Sequence, residues 1–231
     1  MAEEPSAKHH HAETSDKSNN LVDIHVPGEK RKYTTTLTGV ELHGNETLEI
    51  VCTSVPKKAD EVISRLWRKL GGKSPNRRIV GVGVHYTNKD EPPPMAAVLP
   101  KRLNDMLQLE KFFTFAGFNI ESDKEKLKLS GFSSINPNNF IDMQQKWKHP
   151  KTNKYYDSLA DVAGDVIHPF YNGMKKKMDR ADHKLWGTSP LPDNLITYAG
   201  IDVYATYKSW KTVGNIVTGW DISKEQEADP Y

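Results

Sequence analysis

The chain has 231 residues, of which 36% are hydrophobic and 27% charged, with a formal net charge of +2 at neutral pH. That suffices for one domain of ordinary size with tails, and no apolar run approaches the roughly 20 residues of a membrane helix. Cys52 is the only cysteine, which excludes an intramolecular disulfide and fits a reducing compartment.

Residues 1–20 are rich in Glu, Ser, Lys, Asn and His and offer almost nothing to bury, so they read as a disordered tail. They contain no apolar segment of the kind a secretory signal needs, and the protein is expected in the nucleus or cytoplasm and not outside the cell. The run His9-His10-His11 lacks neighbours that could fix it as a metal site. Tyr33–Leu42 is Thr-rich and extended, and Thr47–Ser54 alternates as a half-buried strand does. Pro56 opens a helix with Val62, Ile63, Leu66, Trp67 and Leu70 at three- and four-residue steps, and Gly71-Gly72 ends it.

Ile79–Tyr86 reads as a strand, and the three prolines Pro92, Pro93 and Pro94 prohibit regular structure after it. A second helix is expected over Pro100–Glu110, a strand over Phe112–Phe118, and a helix from a Ser122-x-x-Glu125 capping box to Gly131. Asn139–Gln144 suits a short strand, Tyr156–Ile167 a helix, and Leu191–Val213 the last long helix. Alternating strands and helices indicate an α/β domain over residues 31–213, between a tail at 1–30 and another at 214–231.

Charge is uneven along this order. Lys146, Lys148, Lys151, Lys154, Lys175, Lys176, Lys177, Arg180 and Lys184 fall close together, interspersed with Asp142, Asp157, Asp161, Asp165, Asp179 and Asp182. The mixture suits a solvated face more than a phosphate-binding one, and both readings stay open.

Two fragments carry chemistry. In Phe115-Ala-Gly-Phe-Asn-Ile-Glu-Ser-Asp-Lys-Glu-Lys-Leu127 a strand runs through a glycine into a helix whose first turn holds Asp123. An acid there is stabilised by the helix dipole whether or not it does chemistry. In the second, Trp186 and Pro190-Leu191 precede Tyr198-Ala-Gly-Ile-Asp202, and the four-residue spacing puts Tyr198 and Asp202 on one helix face. A phenol there can position a water while the carboxylate holds a metal.

Together these fragments resemble the second and third motifs of the Werner-type 3′–5′ exonucleases of the DEDDy class, in particular the small, plant-type members without a helicase. The resemblance spans roughly Thr47 to Trp210. It implies a ribonuclease H-like α/β fold, a mixed sheet flanked by helices. It also implies two divalent metals (Mg²⁺ or Mn²⁺), with Asp123 and Asp202 as ligands and Tyr198 orienting water, and removal of nucleotides from a single-stranded 3′ end. Asn119 and Lys126 would be substrate-side groups, and Lys175, Lys176 and Lys177 phosphate contacts.

The chain departs from that pattern twice. Where the family's first motif has an Asp-x-Glu, this sequence has Gly83 and His85. Glycine offers no ligand, and imidazole suits zinc or copper better than magnesium. Asp90 and Glu91, in a proline-flanked loop, are poor substitutes. Between Met95 and Arg102 the family also carries a hairpin of roughly 20 further residues (from the resemblance), absent here through a real deletion, splicing or gene prediction. Its loss would expose a sheet edge and weaken the fold. The expected function is therefore an exonuclease-like, nucleic-acid-binding domain with weak or no hydrolysis. An active exonuclease with a rearranged site and a non-catalytic protein-interaction scaffold are the alternatives, and the sequence does not distinguish DNA from RNA.

Overall fold

Three short parallel strands and one long helix position everything else in the computed structural model. It describes residues 32–70, 78–86, 100–108, 112–132, 135–149, 151–178 and 181–218, all within the compact unit Arg31–Tyr231. The strands β1 (Thr34–Glu41) and β2 (Thr47–Thr53) form an antiparallel hairpin, and α1 (Pro56–Lys69) follows. Then come β3 (Arg78–Gly81), α2 (Lys101–Gln108), β4 (Phe113–Gly117), α3 (Glu121–Leu129), β5 (Phe140–Asp142) and α4 (Met143–Lys146). The chain closes with α5 (Leu159–Val166), 3-10 turns over Pro169–Lys177 and Asp182–Gly187, and α6 (Asp193–Thr218).

The order β3-β4-β5 is parallel throughout, and the β1–β2 hairpin is a separate sheet. The described strands thus divide into two small sheets, not one mixed sheet, within a mixed α/β architecture. No helix among the described residues is long and apolar enough to cross a membrane.

Strand alternation assigns the two faces of the parallel sheet. Phe113 and Phe115 of β4 and Phe140 of β5 join Met106, Leu107, Ile120, Phe132 and Ile135 in one cluster, which Ile63 and Trp67 of α1 and Leu70 at its end cover. The Trp67 ring meets Phe113 edge-on at 5.1 Å, as the spacing of the α1 stripe predicts. Ala116 and Ile79 face the other way, toward a second cluster built on Trp147, Tyr156, α5, Tyr171, Ile201 and Ala205.

Two glycines let α6 lie flat between the sheet and the hairpin. A Cβ on Gly81 would overlap the Val203 carbonyl oxygen, and one on Gly200 would overlap Ile50 of β2. The hairpin turn is also tied to α6 by Glu46. Its carboxylate accepts hydrogen bonds from the Tyr204 hydroxyl and, at 3.1 Å, from the Lys208 ammonium. These two bonds hold the Glu46 carboxyl below its ordinary range.

Several boundaries differ from expectation for identifiable reasons. The strand expected over Ile79–Tyr86 ends at Gly81. Val82 N–H still donates to the Ala116 carbonyl at 2.9 Å, but Val84 N–H turns to the Asp123 carboxylate at 3.1 Å and the ladder stops. The capping box at Ser122 does not form, because α3 already begins at Glu121 and Ile120 precedes it without a side-chain cap.

Asp142 instead holds the amides just ahead of α3, accepting from Asn119 N–H at 3.0 Å and Ile120 N–H at 3.2 Å. The helix expected from Tyr156 starts at Leu159, where Ser158 Oγ accepts from Asp161 N–H at 3.2 Å. Segment 87–99, where the missing hairpin would fall, lies outside the described residues, as do Gly71, Gly72, the tail at 1–30 and residues 219–231; α6 itself continues to Thr218, through the start of the tail expected from 214.

Candidate functional site

The carboxyl ends of parallel strands are where open α/β sheets usually place ligands. Here Gly83–His85 beyond β3, Phe118 and Asn119 beyond β4, and Gln144 beyond β5 border a cleft of about 270 Å³ whose far wall is Asp202 and Thr206 of α6. Asp123 and Asp157 complete the wall. The topology therefore brings Gly83, His85, Asp123 and Asp202, which lie far apart in sequence, to one opening.

Asp123 sits in the first turn of α3 with one oxygen occupied by Val84 N–H. Burial raises its pKa from 3.8 to about 6; the Val84 hydrogen bond offsets part of this and the neighbouring Asp142 adds to it. Asp142 itself is buried at the end of β5. It accepts from three backbone amides, those of Asn119, Ile120 and Gln144, and so clamps the β4–α3 turn against α4. Asn119 holds a φ of 56°, a left-handed conformation that asparagine adopts more readily than most residues, and it lines the cleft exposed.

Gly83 and His85 both face Asp202. A Cβ on Gly83 would stand 3.3 Å from Asp202 Oδ2, and His85 Nε2 is 3.9 Å from the same oxygen. The imidazole lies between aromatic rings, stacked on Trp186 at 4.5 Å and edge-on to Tyr198 at 5.6 Å. Burial and the nearby His183 push its pKa down from 6.5 to about 4. It is therefore neutral at neutral pH, the contact with Asp202 is not an ion pair, and Nε2 is buried without a hydrogen-bond partner. Tyr198 is pushed up to about 12 by burial and then by Asp202.

No family model, curated protein or solved structure matches the chain.

Lys126 does not join the residues at the cleft. Lys126 is buried with its ammonium 4.7 Å from the centre of the Tyr86 ring, away from the cleft lining. It packs against the segment after β3. The side chains of Lys175, Lys176 and Lys177 lie outside the described residues. Asp142, Gln144 and Asp157 were not singled out as site residues from sequence. The available signal was a short apolar strand ending in an acid, which in a parallel sheet points to its functional edge.

A pair of magnesium ions does not fit these donors. Mg²⁺ requires near-octahedral oxygen coordination. The residues facing Asp202 here are a glycine and a neutral imidazole, and Asp123 already spends an oxygen on Val84 N–H. Among the described residues, no group of three or more His, Cys, Asp or Glu side chains is arranged to hold a metal.

Proposed function

We propose that the chain is a 3′–5′ exonuclease-like domain that binds single-stranded nucleic acid at a free 3′ end and hydrolyses it weakly or not at all. One observation carries the reading: the ground beside Asp202 that a bridging carboxylate would need is held by Gly83 and the neutral His85 ring. The acid, phenol and second acid of the resemblance, Asp123, Tyr198 and Asp202, stand around that place. Asp123 and Asp202 open on the same cleft, and Tyr198 touches it through the His85 ring.

Two-metal phosphodiester hydrolysis needs both the attacking and the leaving oxygen stabilised. Neither His85 nor Gly83 can contribute to that. Asn119 and Gln144 remain on the wall as neutral hydrogen-bonding groups for a sugar or base, and Asp123, partly protonated near pH 6, tolerates an anionic neighbour better than an ordinary carboxylate. The reading favours Mg²⁺ or Mn²⁺ held weakly or not at all, and residence in the nucleus or cytoplasm.

The test is digestion of an end-labelled single strand with a free 3′ end in Mn²⁺, beside the Asp202→Ala variant. The expected result is no laddering by either protein, with binding retained. Metal-dependent laddering that disappears in Asp202→Ala would replace this reading with that of an active exonuclease. Absence of any salt-dependent binding would favour a protein-interaction scaffold.

A further inference from the structure

The cleft wall includes Gln144 and Asp157, and the chain between them leaves the domain and returns to it. Its two stems are anchored in the core. Trp147 is buried and stacked on Trp210 of α6 at 4.9 Å, and Tyr156 is buried in the same cluster. Gln144 Nε2 donates across the stems to the Tyr156 carbonyl at 3.2 Å. Because side chains alternate, the neighbours of these anchors point outward: Lys148 and Tyr155 pair across the stem, and Tyr155 is 52% exposed.

Beyond that bridge the chain closes as a tight, hydrogen-bonded turn. His149 N–H donates to the Lys154 carbonyl at 2.8 Å, and Asn153 N–H donates to the His149 carbonyl at 2.9 Å. Asn153 takes the left-handed φ of 54°. The His149 ring fixes the tip from inside, its Nδ1 accepting from Lys151 N–H at 3.1 Å and Thr152 N–H at 3.3 Å. Its Nε2 lies 3.3 Å from Asp165 Oδ2, so that acid faces the histidine. Lys146, Lys148, Lys151 and Lys154 are all exposed, and none forms an ion pair with a described carboxylate. The Lys148 ammonium lies 5.0 Å from the centre of the Tyr155 ring.

Resting on the reading that the cleft receives a strand end, we infer that the described residues of this turn, 147–149 and 151–156, form the docking arm for the strand that leaves it. Lys148, Lys151 and Lys154 contact its phosphates and Tyr155 stacks on a base. The chemistry specified is a flexible polyanion carrying aromatic faces, which is single-stranded nucleic acid. Duplex backbone would satisfy the lysines and leave Tyr155 unused. The hydrogen bonds between His149 and Lys151, Thr152, Asn153 and Lys154 favour this role, since lysines on a hydrogen-bonded turn cost less to order than lysines on an open loop.

The test is fluorescence anisotropy of the full chain with a dye-labelled single strand, linear or circularised, as a function of salt. Reversing the arm with Lys148→Glu, Lys151→Glu and Lys154→Glu together should weaken binding at least about tenfold at low salt. It should also flatten the salt slope by roughly 0.7 for each phosphate no longer neutralised. Three arginines at the same positions should restore both. Tyr155→Ala should weaken binding about fivefold or more without changing the salt slope.

A glutamate triple variant that stays folded by circular dichroism and binds like the parent would overturn the arm and leave the cleft reading standing. Equal competition by polyglutamate at matched charge would also overturn it. Equal affinity for linear and circular strands, with the arm variants still weakened, would sink the strand-end reading of the cleft and spare phosphate contact by the arm. No binding by the parent would overturn both.

Discussion

A carboxylate introduced at Gly83 would meet Asp202 at close range, because a Cβ there already stands 3.3 Å from Oδ2. Gly83→Asp alone should therefore cost about 1 kcal/mol of like-charge repulsion at neutral pH, roughly 2–4 °C in melting temperature for a chain of this size. Gly83→Asp with His85→Glu should bind Mn²⁺ detectably in calorimetry, and the ion should recover the lost melting temperature. A folded double variant with no gain in affinity would mean that these positions do not face a common metal place.

Two buried groups on the same wall also give the pH dependence opposite signs. Asp123 is raised from 3.8 to about 6, so the folded state holds the extra proton between those values. Its destabilising effect is absent below pH 4 and complete above pH 6. His85 is lowered from 6.5 to about 4, so its stability contribution is present above pH 6.5 and lost as pH falls toward 4.

In the parent the two trends oppose each other across that window, and single variants separate them. Asp123→Asn keeps an acceptor for Val84 N–H and should raise the melting temperature by about 2–4 °C at pH 7 but not at pH 4, after discounting for partial exposure. His85→Phe should remove the loss on acidification, worth up to about 3 kcal/mol. Melting curves from pH 4 to pH 8 check both.

At the scale of the elements, α6 depends on two glycines that differ in what they face. Gly200→Ala would press on the side chain of Ile50, whereas Gly81→Ala would press on the backbone at Val203. Both should destabilise, typically by 1–3 kcal/mol or so. Only the first should be relieved by shortening its neighbour with Ile50→Val, a difference that urea titration of the single and double variants would show.

The same elements show how far the sequence can be read. Most of them follow from local pattern: the Ile63–Trp67–Leu70 stripe, Asp123 in a first helical turn, and the Tyr198–Asp202 face of α6. What pattern did not reveal is non-local. β3 stops at Gly81 because an acid on α3 takes Val84 N–H, and Ser122 does not cap because α3 already begins at Glu121, just after amides that Asp142, on another strand, takes. The resemblance made Lys126 a substrate-side group, and no local pattern foretold that the fold would bury it against the Tyr86 ring. Periodicity reports which face a residue occupies and not which distant group will claim its backbone.

For the whole molecule, the parallel sheet is three strands wide, and among the described residues β3 pairs only with β4 over Arg78–Gly81. Natural domains are held by only about 5–15 kcal/mol, and a four-residue strand with one ladder supplies little of that. The purified chain should melt at low temperature or aggregate on heating. Inserting a pairing hairpin after Leu99 should raise the transition, and a sharp, high-temperature transition in the parent would show that the short sheet is adequately covered.

The position of α6 in the chain adds a constraint on biosynthesis. It is the last described element, yet β3 packs on it through Gly81, β2 through its contact with Gly200, and the hairpin turn through Glu46. As the chain leaves the ribosome, the hairpin and the inner face of the sheet have no surface to settle on until residues 193–218 emerge. Domains commonly fold as units during synthesis, and here that unit cannot close until α6 is free of the exit tunnel. Stalled chains ending before Asp193 should stay protease-sensitive, and those releasing all of α6 should become resistant in one step. The hairpin strands would stay uncovered by α6 until then.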